Sequence, residues 1–159
     1  MIPTRKHLDY ALGYLELGLL AEAREELARI PSADRQNTDV LAVRLELAMA
    51  EETWEDVIAL APQVVCADPS AERPWIVWAY ALRERQRITE ARDILLRGEQ
   101  AITAPDILVD YNLACYYCLL GDFPEARRRL DRVFAREPHW KEEARHDPDL
   151  AALQDAETP

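Results

Sequence analysis

Apolar residues recur three and four positions apart along most of the chain, which is the pattern of helices that bury one face. Between residues 107 and 138 they form two such runs, and Gly121 lies between them. The runs consist of Val109, Leu113, Ala114 and Tyr117, followed by Phe123, Ala126, Leu130 and Val133. Glycine is suited to ending a helix, and Pro124 is suited to the first turn of the next one. The pattern therefore predicts two helices joined by a tight turn.

The same pattern returns at a nearly constant interval. Small or short apolar residues mark equivalent points, spaced 34, 34 and 35 residues apart, at Ala23, Val57, Ala91 and Ala126. Four positions after each of them comes another apolar residue, at Leu27, Ala61, Leu95 and Leu130. A fixed period of this length is typical of stacked helical repeats, in which no unit buries its apolar face alone. The sequence predicts four helix pairs, at about 4–36, 37–71, 72–106 and 107–138.

These residues resemble the tetratricopeptide repeat (TPR), a 34-residue helix–turn–helix unit with Leu-Gly-x2-Tyr, Ala-x3-Phe and a closing proline. The fourth unit matches best, at Leu113, Ala114, Tyr117, Gly121, Phe123, Ala126, Leu130 and Pro138. The resemblance implies an all-α, right-handed α-solenoid of about four TPR-like helix hairpins with a C-terminal capping helix, forming a single domain over 1–159. The second unit departs from the pattern, because its turn lacks glycine and Pro62 is expected to kink its second helix.

The segment after Pro138 no longer follows the repeat. Residues 139–156 predict two short helices, the second with an aspartate at its start. A terminal repeat exposes an apolar face that a cap must cover, and Trp140, Leu150 and Leu153 are the candidates for the apolar side of this cap. Residues 157–159 are expected to fray.

Acidity excludes several classes of partner. The net charge is −11, the opposite sign from a nucleic-acid-binding protein, and it also disfavours an anionic membrane surface. No apolar stretch approaches the ~20 residues that span a bilayer, and no signal core follows the N-terminus, so a cytoplasmic location is expected. The acidic residues are concentrated in 37–71 and 139–159. They form either a solvated face or a field that steers a basic partner.

Searching for chemistry gives no catalytic motif, so we expect neither an enzyme nor a cofactor. Cys115 and Cys118 have Cys-x2-Cys spacing, but a zinc site needs two further ligands and no second pair exists. Packing is the favoured interpretation of these thiols, with metal binding and redox regulation as alternatives. A basic cluster lies in the last repeat, at Arg127, Arg128, Arg129, Arg132 and Arg136. Pairing with neighbouring acids is favoured over RNA or phosphate binding.

In TPR proteins the first helices of the pairs line a concave groove that holds a peptide or helix of a partner protein, and the resemblance implies this function here. In the first two units the groove-facing candidates are Leu8, Leu12, Leu15, Ala42, Glu46 and Met49. In the last two they are Arg73, Ile76, Val77, Tyr80, Arg83, Leu108, Tyr111, Asn112, Cys115 and Cys118. A largely apolar groove with tyrosine and arginine anchors suits an amphipathic helix or an apolar peptide.

Three alternatives stay open for the groove. The chain could be a secretion-type chaperone for an apolar segment of another protein, because small acidic TPR proteins of that kind resemble it in size and charge. It could also be a structural protein whose repeats build a homodimer. Finally, the chain's own ends could fill the groove.

Overall fold

The computed structural model describes residues 2–155, which form ten α-helices and no strand. The first four helices are α1 (Thr4–Glu16), α2 (Leu20–Ala28), α3 (Thr38–Ala50) and α4 (Trp54–Ala67). The next four are α5 (Glu72–Glu84), α6 (Ile88–Ala101), α7 (Ile107–Leu119) and α8 (Phe123–Arg136). The last two are short, α9 (Trp140–His146) and α10 (Ala151–Asp155), and a 3-10 turn at Pro148–Leu150 lies between them. The predicted all-α class with helix pairs is confirmed. The expected fraying of 157–159 lies outside the described residues.

The chain divides into two compact units, Met1–Pro69 and Ser70–Pro159. The N-terminal unit contains α1–α4, and the C-terminal unit contains α5–α10. The division falls between the second and third repeats predicted from the sequence. None of the helices formed by the described residues combines the length and the apolar character that crossing a membrane requires.

In the N-terminal unit the core lies between the helix pairs. Its buried members are Leu8, Ala11, Ala23, Leu27, Ile30, Val40, Val43 and Leu47. Ala11 and Ala23 have no exposed surface, because methyl side chains let α1 and α2 approach closely. A buried hydrogen bond accompanies this core, with His7 Nδ1 2.7 Å from Glu26 Oε2. The hydrogen bond from His7 lowers the pKa of Glu26.

One turn conformation recurs in all four helix pairs. Gly18 and Gly121 have φ angles of 72° and 81°, and Glu52 and Gln86 occupy the equivalent turns with φ angles of 55° and 60°. In each turn the following amide donates to a carbonyl five residues back, as Asp122 does to Tyr117 at 2.9 Å. Left-handed backbone costs a non-glycine residue roughly 1–2 kcal/mol. Because Glu52 adopts this conformation despite the cost, the turn of the second repeat keeps the same hairpin geometry without a glycine.

In the C-terminal unit α5 and α6 pack closely because Gly98 leaves room for an indole. A Cβ added at Gly98 would lie 2.7 Å from Trp75 Cγ and 2.8 Å from Trp75 Cβ. Trp75 is 5% exposed, so the ring has little room to shift. By contrast, a Cβ added at Gly13 of α1 would have no neighbour within 4 Å.

This contrast predicts opposite effects of one substitution at two helical glycines. Gly98→Ala is expected to lower the free energy of unfolding by about 1–3 kcal/mol, because overpacking outweighs the gain in helix propensity. Gly13→Ala is expected to raise it by up to about 1 kcal/mol, because only the propensity changes. Urea denaturation of both variants measures the two values. Stabilisation by Gly98→Ala would contradict the close packing of Trp75.

The basic cluster of α8 is paired with acids. Arg129 is 5% exposed, and its Nη1 lies 2.5 Å from Glu99 Oε1 of α6 and 2.8 Å from Asp110 Oδ1 of α7. Its Nε donates to Glu125 Oε1 at 3.1 Å. Arg132 also contacts Asp110, and Arg128 contacts Glu125. These five contacts engage the guanidinium groups of Arg128, Arg129 and Arg132. The predicted pairing with neighbouring acids is therefore present, and these three arginines do not form an unpaired basic stripe.

Candidate partner-binding site

The C-terminal unit has a pocket of about 630 Å³ between its helices and the residues that follow α8. Helix α5 supplies Tyr80 and Arg83, and α7 supplies Leu108, Tyr111 and Asn112. The opposite wall comes from the C-terminal segment, which we define as residues 140–155, through Trp140, Glu143, Asp147 and Asp149. Tyr80 and Leu108 are 39% and 38% exposed, so the mouth of the pocket presents apolar surface.

The C-terminal segment is fixed to α5 and α7 by two carboxylates. Asp147 Oδ2 accepts a hydrogen bond of 2.7 Å from the Tyr111 hydroxyl. Arg83 donates to both carboxylate oxygens of Asp149, with 2.8 Å between Nε and Oδ2. Asp147 also caps the 3-10 turn, because its Oδ1 accepts from the amide of Asp149. The aspartate expected at the start of the second short element is therefore present.

Apolar contacts complete this attachment. Leu150 is 1% exposed and Leu153 is 5% exposed. Trp140 is half-buried, and its ring centroid lies 4.8 Å from that of Tyr111 at an interplanar angle of 53°. The three residues predicted for the apolar side of the cap thus lie against protein, and the segment covers part of α7.

The structure brings the predicted groove residues together in two separate pockets. In the N-terminal unit, Leu8, Leu12, Ala42 and Glu46 line a pocket of about 330 Å³. In the C-terminal unit, the larger pocket includes six predicted residues, which are Tyr80, Arg83, Leu108, Tyr111, Asn112 and Cys115. The remaining candidates lie outside both pockets, namely Leu15, Met49, Arg73, Ile76, Val77 and Cys118.

Five of the predicted groove residues are buried, and the repeat explains where they lie. They are Leu8, Val77, Tyr111, Cys115 and Cys118. Leu8 belongs to the core of the N-terminal unit. Val77 follows Val43 by one period of 34 residues, and Val43 packs in the core between helix pairs. Tyr111, Cys115 and Cys118 lie beneath the C-terminal segment. On this side of the unit, only their neighbours on α5 and α7 are exposed to solvent.

Burial keeps the thiols of α7 protonated. Loss of solvation raises the pKa of Cys115 well above its usual value, and the nearby charge of Asp147 raises it further. Burial also raises the pKa of Cys118. Because the thiolate is the nucleophile and the metal ligand, neither cysteine is activated for catalysis. This agrees with packing as the favoured interpretation of the two residues.

One cluster of the described residues has atoms close enough to hold a metal ion. Cys115, Asp147 and Asp149 offer ligand atoms within 4.8 Å of one another. The Asp149 carboxylate is already neutralised by the Arg83 guanidinium, and the Asp147 carboxylate accepts from Tyr111. A cation here would have to displace an arginine and deprotonate a buried thiol. The arrangement is better suited to fixing the C-terminal segment than to binding metal.

A buried hydroxyl in the pocket wall has no protein partner. Tyr116 lines the pocket and is 1% exposed, and its hydroxyl makes no hydrogen bond with any of the described residues. Leaving such a group unsatisfied costs roughly 1–3 kcal/mol. Burial raises the pKa of Tyr116, so the group is a neutral hydroxyl that is able to donate or accept.

Sequence reasoning missed the wall that the C-terminal segment supplies. Trp140 was assigned only to the cap, and Glu143, Asp147 and Asp149 were not assigned to the site at all. The repeat period gives no position for residues outside the repeats, so it could not place them opposite α7. The one available signal was the acidity of residues 139–159, which contain six acidic and two basic side chains.

No protein-family model matches the sequence, and no curated protein matches it. Solved structures do match in fold. A crystal structure of MamA has a TM-score of 0.75 and 16% identity, covering 96% of this chain and 89% of MamA. A structure of MamA AMB-1 has a TM-score of 0.69 and 16% identity, covering 96% of both chains. A kinesin light chain of Podosopora anserina with nearly identical TPR-like repeats has a TM-score of 0.61 and 23% identity. The match covers 97% of this chain and 84% of the kinesin light chain structure. The chain therefore has a TPR-like helical-repeat fold.

Proposed function

We propose that this chain is a non-enzymatic protein-interaction module of the cytoplasm that holds a peptide or helix of a partner protein at the pocket of its C-terminal unit. The observation that carries the proposal is an apolar mouth, formed by Tyr80 and Leu108, above a pocket of about 630 Å³. Large side chains left exposed beside a concave, partly apolar site are typical of interaction surfaces. Tyrosine and arginine are frequent anchors at such surfaces.

The chemistry of the pocket favours binding over catalysis. Its cysteine is protonated, and its guanidinium group is engaged by Asp149. Its carboxylate at Asp147 accepts hydrogen bonds that fix a segment of the chain. No group among these is both activated and free to attack or to transfer a proton to a bound molecule.

Two substitutions on one helix test the site. Leu108→Asp places a charge at the pocket mouth, and Leu119→Asp places the same charge at the far end of α7, where Leu119 is 42% exposed. We expect Leu108→Asp to reduce recovery of partner proteins from the native lysate by about tenfold, the effect of losing a buried anchor. We expect Leu119→Asp to bind as wild type does. Quantitative mass spectrometry of the captured proteins gives the measurement, and circular dichroism verifies equal helicity.

Different results would support the alternatives. If both variants retain the wild-type partners, the pocket is not the binding site. If the wild type captures only a second copy of itself, and light scattering shows that Leu108→Asp is a monomer, the chain is a self-associating repeat protein. If the chain captures a single partner through an apolar segment, and that segment aggregates in the absence of this chain, the result would favour the secretion-type chaperone.

A further inference from the structure

The pocket of the C-terminal unit carries more negative charge than its own cations neutralise. Arg83 is a cation of its lining, and Asp149 and Glu84 already engage its guanidinium group. Within residues 2–155, Asp147 receives hydrogen bonds only from neutral donors, which are the Tyr111 hydroxyl, the Cys115 thiol and the Asp149 amide. Glu143 is exposed and forms no ion pair with any described residue. In the part of the chain that the structure describes, the carboxylates of Glu143 and Asp147 are therefore not paired with a cation.

Aromatic rings accompany these carboxylates. The rings of Tyr111 and Trp140 are tilted against each other with 4.8 Å between their centroids, and Tyr80 is exposed at the mouth of the same pocket. Burial raises the pKa of Tyr111 most, its hydrogen bond to Asp147 adds to this, and the charge of Glu143 contributes as well. Glu143, Tyr111 and Trp140 all line this pocket. Aromatic faces beside carboxylates attract cations.

The unpartnered hydroxyl of Tyr116 is a second, independent polar feature of this pocket wall. It is buried in the wall of this pocket and accepts no hydrogen bond from any part of the chain that the structure describes. Lysine and arginine side chains carry several N–H donors and no acceptor. Such a side chain could donate to the Tyr116 oxygen while its charge is neutralised by Glu143 and Asp147.

We infer that the partner segment inserts a lysine or arginine side chain into this pocket, between the aromatic rings of Tyr111 and Trp140 and the carboxylates of Glu143 and Asp147. The inference rests on the proposed function and names the chemistry of its partner, a basic segment with apolar residues that cover Tyr80 and Leu108. A net charge of −11 steers such a segment toward the chain. An acidic segment would meet two uncompensated carboxylates of its own sign.

A titration with one isolated side chain tests this chemistry without the partner. The probe is Nα-acetyl-arginine amide, and its neutral isostere, Nα-acetyl-citrulline amide, is the control. NMR spectra of the 15N-labelled full chain report the indole N–H of Trp140 and the amides of residues 143–147. We expect the arginine probe to shift these signals and to bind at least about tenfold more tightly than the citrulline probe.

A matched pair of variants separates the pocket from the general acidity of the chain. Glu143→Gln and Glu142→Gln remove the same charge from neighbouring exposed positions of α9, but Glu142 pairs with Arg145 and His146 and does not itself line the pocket. We expect Glu143→Gln to weaken the arginine probe by about threefold, the effect of one solvent-accessible ion pair. We expect Glu142→Gln to leave its affinity unchanged.

Each contrary outcome overturns the inference. Equal affinity for the two probes would mean that charge is not recognised. Equal weakening by the two variants would mean that only the overall field attracts the probe. No shift of Trp140 or of residues 143–147 would mean that the pocket does not take the side chain. The proposed function is tested separately by Leu108→Asp. If the titration fails but Leu108→Asp still loses its partner, the cationic side chain is rejected and the binding site is not.

Discussion

Arg129→Met is expected to lower the free energy of unfolding by about 3–5 kcal/mol, the cost of leaving buried acids without their cation. Arg129 is 5% exposed and contacts Glu99, Asp110 and Glu125 from three helices of the C-terminal unit. Burial alone would lower the pKa of this guanidinium, but its hydrogen bonds to Glu99 and Asp110 raise it above the ordinary value. Methionine fills most of the volume, so the loss reports the charge and not a cavity.

The neighbouring arginine gives the control for this experiment. Arg128 is exposed and pairs with Glu125 alone among the described residues. Arg128→Met removes the same charge from the same helix, and we expect it to cost no more than about 1 kcal/mol. Urea denaturation of the three proteins measures the difference. Equal destabilisation by the two substitutions would show that Arg129 does not connect α6, α7 and α8 as the structure describes.

Leu150→Ala is expected to cost about 2–5 kcal/mol and to expose the thiols of α7. Leu150 is 1% exposed and lies in the turn that carries Asp149. Shortening it leaves a cavity under the C-terminal segment and loosens the segment from α7. Cys115 and Cys118 are buried, whereas Cys66 is exposed, so wild type has one thiol that reacts quickly. In Leu150→Ala, two further thiols should react faster than in wild type.

Leu17→Ala is the matched control, since Leu17 is 73% exposed. We expect this variant to differ from wild type by no more than about 0.5 kcal/mol in its free energy of unfolding and to keep the slow thiols slow. Labelling with a chromogenic disulfide, followed by peptide mass spectrometry, assigns each rate to a cysteine. If Cys115 and Cys118 react at the same rate in wild type and in Leu150→Ala, the C-terminal segment is not what protects them.

The hairpins could be predicted from the sequence because the 34-residue period depends on packing between neighbouring helices. Ala23, Val57, Ala91 and Ala126 fall at equivalent points because each repeat needs a small side chain where its helices meet. The same reasoning also covers the turns. Glu52 and Gln86 adopt the conformation of the glycines at 18 and 121, so the geometry of the repeat prevails over the local preference of the residue.

Contacts between residues distant in sequence could not be predicted in this way. Glu26 and Arg129 belong to helix positions that a charge pattern assigns to solvent, yet both are buried. Their partners His7 and Glu99 lie 19 and 30 residues away. Half of the pocket was missed for a related reason, because the C-terminal segment follows no repeat. The candidates from α5 and α7 were placed by the period, and the wall opposite them was not.

The most direct test of the partner-binding pocket is a photo-crosslinking measurement from its mouth. A photoreactive amino acid replaces Leu108 in the full chain, and the control chain carries it at Leu119 on the same helix. We predict that irradiation in the native lysate joins position 108, and not position 119, to a partner peptide that contains lysine or arginine beside apolar residues. Equal yields from both positions, or adducts from position 108 only to acidic peptides, would contradict this account.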